Sequence, residues 1–245
     1  MHCSCGRHHS ALVRSAPALL SLSGGHMGPF AFTSADMRKN EFDSSSDEDE
    51  PEDAQASPLN ISWMPLSIVD SCHFLGVCAL PGCRYKDIRR NLQRDVEELQ
   101  SQGVQDVFVF CTNGELSKYR VPSLLATYEH RGFAVHHFPF LDGDVPELPL
   151  CSRILEELQG CLQRSRRTVL HCYGGLGRSG LVAACLLIQL SPEMTAHKAI
   201  EFLREHRGRG AIQTVKQYNF LHEFREKFAA HQANTEAFTE RSVSR

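Results

Sequence analysis

The chain has 245 residues, enough for one core of ~150–200 residues plus tails. With 42% hydrophobic residues and a net charge of −3, it reads as a globular protein with no global bias toward nucleic acid or a membrane surface. The longest apolar run, Leu181–Ile188, falls far short of the ~20 residues a membrane span needs. Ten cysteines without regular spacing do not form a disulfide framework, so a reducing compartment is expected: the cytoplasm, with the nucleus or perinuclear region as further sites.

Residues 1–40 hold no acid before Asp36, and their short apolar stretch Ala16–Leu22 makes a poor signal peptide. His2, Cys3, Cys5, His8 and His9 cluster there but lack paired C-x2-C spacing, so no metal is expected. Glu41–Asp53 is an acidic block carrying Ser44, Ser45 and Ser46, suited to an acidophilic kinase. The expected organisation is a leader over 1–57, one domain over 58–230 and a tail over 231–245.

Within the domain, strand and helix alternate. Phe74–Leu80 reads as a strand. Asp87–Gln102 has Ile88, Leu92, Val96 and Leu99 at helical spacing and stops at Gly103. A strand over Val104–Cys111, a helix over Val121–His130 and a strand over Phe133–Phe138 follow, then the loop Pro139–Pro149. A helix over Leu150–Arg164 precedes the apolar strand Thr168–Leu170. Three helices close the chain: Ser179–Leu190, Thr195–Arg207 and Gln213–Ala230. This alternation predicts an α/β fold with a central, mostly parallel sheet flanked by helices. Arg84, Lys86, Arg89, Arg90 and Arg94 are expected on a solvated helix face. His136 and His137 are read as structural.

Cys-x5-Arg occurs four times, at Cys78/Arg84, Cys83/Arg89, Cys161/Arg167 and Cys172/Arg178. The Cys78 loop contains Pro81, which has no N–H to offer. Cys83 runs into a basic segment and Cys161 lies inside an amphipathic helix. Only Cys172 follows an apolar strand, has glycines at Gly174, Gly175 and Gly177, and leads into a long apolar helix. Such a loop suits a tetrahedral dianion. The backbone N–H groups of Tyr173, Gly174, Gly175, Leu176 and Gly177 turn inward, the helix end adds its positive dipole, and the Arg178 guanidinium clamps two oxygens. The cysteine is the nucleophile, which implies a cysteine-dependent phosphatase.

The loop and its flanking strand and helix resemble the dual-specificity branch of the protein tyrosine phosphatases. Pro139-Phe140-Leu141-Asp142-Gly143-Asp144-Val145-Pro146 resembles the mobile general-acid loop of that branch. Arg209 through Gln217 resembles the glutamine-bearing segment on the opposite wall. Glu41-Phe42-Asp43-Ser44-Ser45, Cys78 through Cys83, Phe108 through Thr112 and Gly114 through Pro122 are similar to the cyclin-dependent-kinase-associated phosphatases, from Glu41 to Arg245.

The resemblance implies a dual-specificity phosphatase fold and a site without cofactor or metal. Asp142 is the implied general acid, Asp144 and Glu147 being the other carboxylates of the loop. Ser179 assists departure of the thiolate, His171 orients the loop, and Gln213 and Gln217 line the pocket. Cys111, at the end of its strand, is a candidate redox partner for Cys172. The implied substrate is the activation-segment phosphothreonine of a phosphorylated cyclin-dependent kinase, with phosphoserine and phosphotyrosine also accepted and a restraining role in the cell cycle. The chain is expected to be a monomer that binds neither nucleic acid nor membrane. A stoichiometric kinase-binding inhibitor and a phosphoinositide phosphatase are the alternatives; a loop interior without lysine weighs against the second.

Overall fold

Residues buried on both faces of a sheet carry no polar alternation, and the central strands of the computed structural model show this. The structure describes residues 57–243, and side chains as far as residue 235. All of them fall within one unit, Asp49–Arg245. The leader, its His/Cys cluster and its acidic block lie outside the described residues. The strands are β1 (Ser62–Pro65), β2 (Phe74–Cys78), β3 (Arg84–Tyr85), β4 (Ile88–Arg89), β5 (Asp106–Val109), β6 (Ala134–His137) and β7 (Thr168–His171). Five of them form one sheet in the order β1-β2-β7-β5-β6. Within that sheet only the β1–β2 pair is antiparallel. β7 is central and wholly buried. His171 pairs in register with Cys78 on one side and Val109 on the other, so the next residue, Cys172, emerges at the carboxyl edge.

The helices are α1 (Leu92–Ser101), α2 (Asn113–Lys118), α3 (Leu124–His130), α4 (Leu148–Gln163), α5 (Arg178–Leu190), α6 (Ala196–Arg207) and α7 (Val215–Val243). α5 is buried from Arg178 through Ile188 and packs against α4, α6 and α7. An all-round apolar helix belongs in a core, and burial here makes the helix that follows the loop rigid.

Several boundaries move. The helix expected from Asp87 starts only at Leu92, because Ile88–Arg89 pairs with Arg84–Tyr85 as a hairpin turning through Lys86 at φ 52°. Asn91 then caps α1, its Oδ1 accepting from the Arg94 N–H at 3.1 Å. The basic residues therefore lie on a hairpin and a helix start rather than on one helix face. Within this group, Arg90 donates to the Pro58 carbonyl at 2.7 Å. α2 has no counterpart among the expected elements, although Thr112-x-x-Glu115 is a full capping box. α7 continues past Ala230 to Val243, since no Gly or Pro interrupts it. Phe228 is its last buried side chain among the described residues.

Candidate active site

Between Cys172 and Arg178 the backbone carbonyls are all occupied from outside the loop. Tyr173 O accepts from the Leu80 N–H at 3.0 Å, Leu176 O from the Ile212 N–H at 3.2 Å, and Gly177 O from the Leu181 N–H at 2.8 Å. The Arg207 guanidinium, at the end of α6, holds the Gly174 and Gly175 carbonyls at 3.1 and 3.2 Å. The N–H groups of Tyr173 through Gly177 donate to no protein acceptor among the described residues. Carbonyls tied outward and N–H groups left over form an anion-binding nest. Gly175 makes the turn possible. It sits at φ 66°, and a Cβ there would lie 2.1 Å from the Cys78 carbonyl oxygen.

Arg178 opens α5 and is fully buried. Its Nη atoms make a two-pronged bond to Glu115, at 2.8 and 2.6 Å, and donate to the Phe110 and Phe140 carbonyls at 3.0 and 2.9 Å. Burial opposes the charge on Arg178, but Glu115 outweighs it and raises the guanidinium above its ordinary value. Burial would likewise raise the Glu115 carboxyl, yet hydrogen bonds from Arg178 and Thr112 hold it below the usual range. One glutamate thus caps α2 and clamps the arginine. Arg178 Nε, Ser179 Oγ and His171 Nδ1 are buried without a hydrogen-bond partner. Buried polar atoms of this kind are rare in a finished core, and three of the five among the described residues fall on the two ends of this loop.

Asp142 Oδ1 lies 3.2 Å from Arg178 Nη2, and its side chain is 56% exposed. The backbone beneath it is anchored: Phe140 packs on Phe110, Thr214 Oγ1 donates to the Gly143 carbonyl at 2.9 Å, and Gln217 Nε2 reaches the Asp144 carbonyl at 3.3 Å. The Asp144 carboxylate is engaged by Lys216 and by the Val145 N–H, and Lys216 lowers its pKa. Glu147 is the residue from which α4 starts. Among the three carboxylates of the loop, the Arg178 contact belongs to Asp142.

Gln217 is buried and accepts from the Gln213 N–H at 3.0 Å. A Cβ on Gly177 would stand 2.5 Å from Gln213 Oε1 and 3.3 Å from Gln217 Nε2, so both glutamines lie over the loop. His171 Nε2 meets the Tyr128 hydroxyl at 3.0 Å. Burial pushes its pKa down to about 3, leaving a neutral ring beneath the loop. Tyr173 stacks on Tyr119 at 4.4 Å, with Tyr85 edge-on to both. Cys111 is buried 3.9 Å from Arg178 Nη2; burial raises its thiol far above the usual value. Cys111 and Cys172 are both free thiols.

The other Cys-x5-Arg matches form no such loop. Arg167 lies over the Trp63 ring, and Arg89 donates to its own hairpin. Sequence reasoning missed Glu115 and Arg207. The capping box pointed to the first; nothing local pointed to the second, which is a helix-end arginine like many others.

A parallel sheet that delivers a cysteine into an outward-tied glycine loop, closed by a buried arginine, defines a cysteine-dependent phosphatase of the protein tyrosine phosphatase superfamily. The chain is a dual-specificity enzyme of that fold. The family model for cyclin-dependent kinase inhibitor 3 matches residues 32–200, and the chain belongs to that family. It is 58% identical to cyclin-dependent kinase inhibitor 3 of Sus scrofa over 209 residues, covering 85% of this chain and 97% of the relative. The Homo sapiens protein of the same name is 56% identical over the same coverage. A solved structure of kinase associated phosphatase, with its catalytic-site cysteine substituted by serine, superposes at a TM-score of 0.70. The two sequences are 59% identical, and the match covers 72% of this chain and 99% of that one.

Proposed function

We propose that the enzyme hydrolyses the phosphothreonine of a cyclin-dependent kinase activation segment through a phosphocysteine at Cys172. The observation that carries this reading is the loop in which every carbonyl from Tyr173 to Gly177 is tied outward. Phosphate monoesters are among the slowest bonds to break unaided, and such a nest acts on the charge that the transition state spreads over three oxygens. Sγ of Cys172 attacks phosphorus in line. The P–O bond to threonine breaks, and the departing alkoxide takes the proton of Asp142. Asp142 then takes a proton from water, the hydroxide forms the new P–O bond, and the S–P bond breaks. Ser179 Oγ donates to the departing thiolate, and Arg178 holds the equatorial oxygens throughout.

The family name supports a cyclin-dependent kinase as substrate and a restraining role in the cell cycle. We propose a monomer acting in the reducing cytoplasm and nucleus. In that setting Cys111 serves as a resolving thiol: peroxide oxidises the Cys172 thiolate to a sulfenic acid with release of hydroxide, and the Cys111 thiol condenses with it, forming the disulfide and releasing water.

Full-length protein carrying Cys172→Ser or Asp142→Ala, used as bait in a cell extract, tests the substrate. The threonine-phosphorylated kinase should be retained and be released by vanadate or by dephosphorylation of the extract. Retention that does not depend on phosphate supports a stoichiometric inhibitor instead. Phosphate release from phosphoinositide rather than phosphopeptide would overturn the protein-substrate reading.

A further inference from the structure

A second cluster of chemically capable side chains is built on β5, β6 and α4, with Asp106 at the opposite end of its strand from the edge where Cys172 emerges. Asp106 opens β5, His136 sits on β6, and Cys161 projects from α4. One ligand atom from each lies within 4.8 Å of the other two. The His136 Nε2 to Asp106 Oδ1 distance is 2.9 Å, Cys161 Sγ to Asp106 Oδ1 is 3.4 Å, and Cys161 Sγ to His136 Nε2 is 3.8 Å. Donors bound to zinc at about 2.0–2.3 Å with tetrahedral angles stand about 3.3–3.6 Å apart. The cluster already has nearly that spacing. Asp106 and Cys161 are buried, and the His136 side chain is 17% exposed, leaving one side open to solvent.

The outer contacts are an independent observation. His136 Nδ1 is 2.7 Å from Glu157 Oε2, so each ring nitrogen faces a carboxylate. A neutral imidazole has one N–H and satisfies one of them. A metal ion on Nε2 would leave the single proton on Nδ1 for Glu157, the usual carboxylate–histidine–metal relay. Arg166 holds the other oxygen of Asp106, so Oδ1 stays directed at the cluster. Phe108, stacked on the His136 ring at 4.2 Å, fixes its plane.

We propose that Asp106, His136 and Cys161 form a zinc site that ties β5, β6 and α4 together, with water as the fourth ligand. Sulfur, imidazole and carboxylate donors of this kind suit Zn²⁺ over Mg²⁺ or Ca²⁺. Without the ion, the Cys161 S–H donates a hydrogen bond to Asp106 Oδ1 and keeps its proton. Binding expels that proton as the S–Zn bond forms. The site is separate from the phosphate loop and takes no part in hydrolysis.

Cobalt titration of the full-length protein tests this, because a thiolate-to-cobalt charge-transfer band reports a cysteine ligand directly. Cobalt taken up by any other thiol adds equally to wild type and Cys161→Ser, so the difference between the two spectra isolates the site. The wild-type protein should show one additional equivalent of tetrahedral Co²⁺ with that band, displaced by Zn²⁺ and absent from Cys161→Ser. Glu157→Gln, at a half-exposed position, should keep the band but weaken affinity by ~10–100-fold. Identical spectra for wild type and a folded Cys161→Ser would overturn the site. Should Cys161→Ser fail to fold, persistence of the full band in His136→Gln would overturn it equally.

Discussion

Alanine at Gly175 should disable the enzyme while alanine one residue earlier should not. At Gly175 the added Cβ would meet the Cys78 carbonyl oxygen at 2.1 Å and its carbon at 2.5 Å. Both are backbone atoms of β2 and cannot swing aside. The position also has φ 66°, which costs an L-residue about 1–2 kcal/mol. Overpacking a closed site adds about 1–3 kcal/mol, giving a total of about 2–5 kcal/mol. For a domain of this size that is roughly 4–20 °C in Tm. Relief requires the loop to retreat by about 1 Å, and a displacement of that order costs about 10²-fold in rate. At Gly174 the backbone is not in the positive-φ region, and a Cβ meets only the Leu176 side chain, at 3.7 Å. Gly174→Ala should therefore stay within about 1 kcal/mol and a few-fold in kcat/KM. The assays are thermal unfolding and kcat/KM on an aryl phosphate. Equal losses in the two variants would refute the account of the loop.

Asp142→Asn should lower kcat ~10²–10⁴-fold on phosphothreonine and much less on an activated aryl phosphate, whose leaving group needs little protonation. Equal losses on both substrates would move the acid elsewhere, although Lys216 already holds Asp144. Glu115→Gln removes the charge that pairs with buried Arg178, so kcat should fall ~10–10²-fold with a smaller change in the retained helix content; an unchanged kcat would mean the Phe110 and Phe140 carbonyls suffice. Arg207→Met should slow alkylation of Cys172 by iodoacetamide as well as turnover, because Gly174 and Gly175 lose the donor that turns their carbonyls away; normal alkylation would make Arg207 a packing residue only. His171 carries a pH prediction. Its folded pKa, about 3, lies below the unfolded value of about 6.5, so between those limits the unfolded chain binds the extra proton. Its contribution to stability is complete above pH 6.5 and declines as the pH falls, by about 1.4 kcal/mol per unit. Denaturant titrations at pH 5–6.5 should show this slope in wild type and lose it in His171→Asn; an unchanged slope in the variant would assign it to another group.

Much of the catalytic loop is legible from the chain because its requirements are local. Glycines at fixed offsets, a cysteine after an apolar strand and an arginine at a helix start are contiguous, and the structure brings Cys172, Arg178 and the glutamines Gln213 and Gln217 together around them. Strand–helix alternation likewise determined a mostly parallel sheet, since apolar period is a property of neighbouring residues. Boundaries were less secure where two local signals competed. Ile88 fits a helical spacing toward Leu92, yet it pairs with Tyr85, because a tertiary partner outweighs intrinsic propensity. Only the tertiary structure decided which groups hold the loop and the arginine. Glu115 stands 63 residues from Arg178, and Arg207 stands 33 residues from Gly174. Nothing in the spacing of a glutamate or an arginine along the chain says which distant carbonyl or guanidinium it will meet, because an ion pair is chosen by the register of the sheet and the packing of α5 and α6.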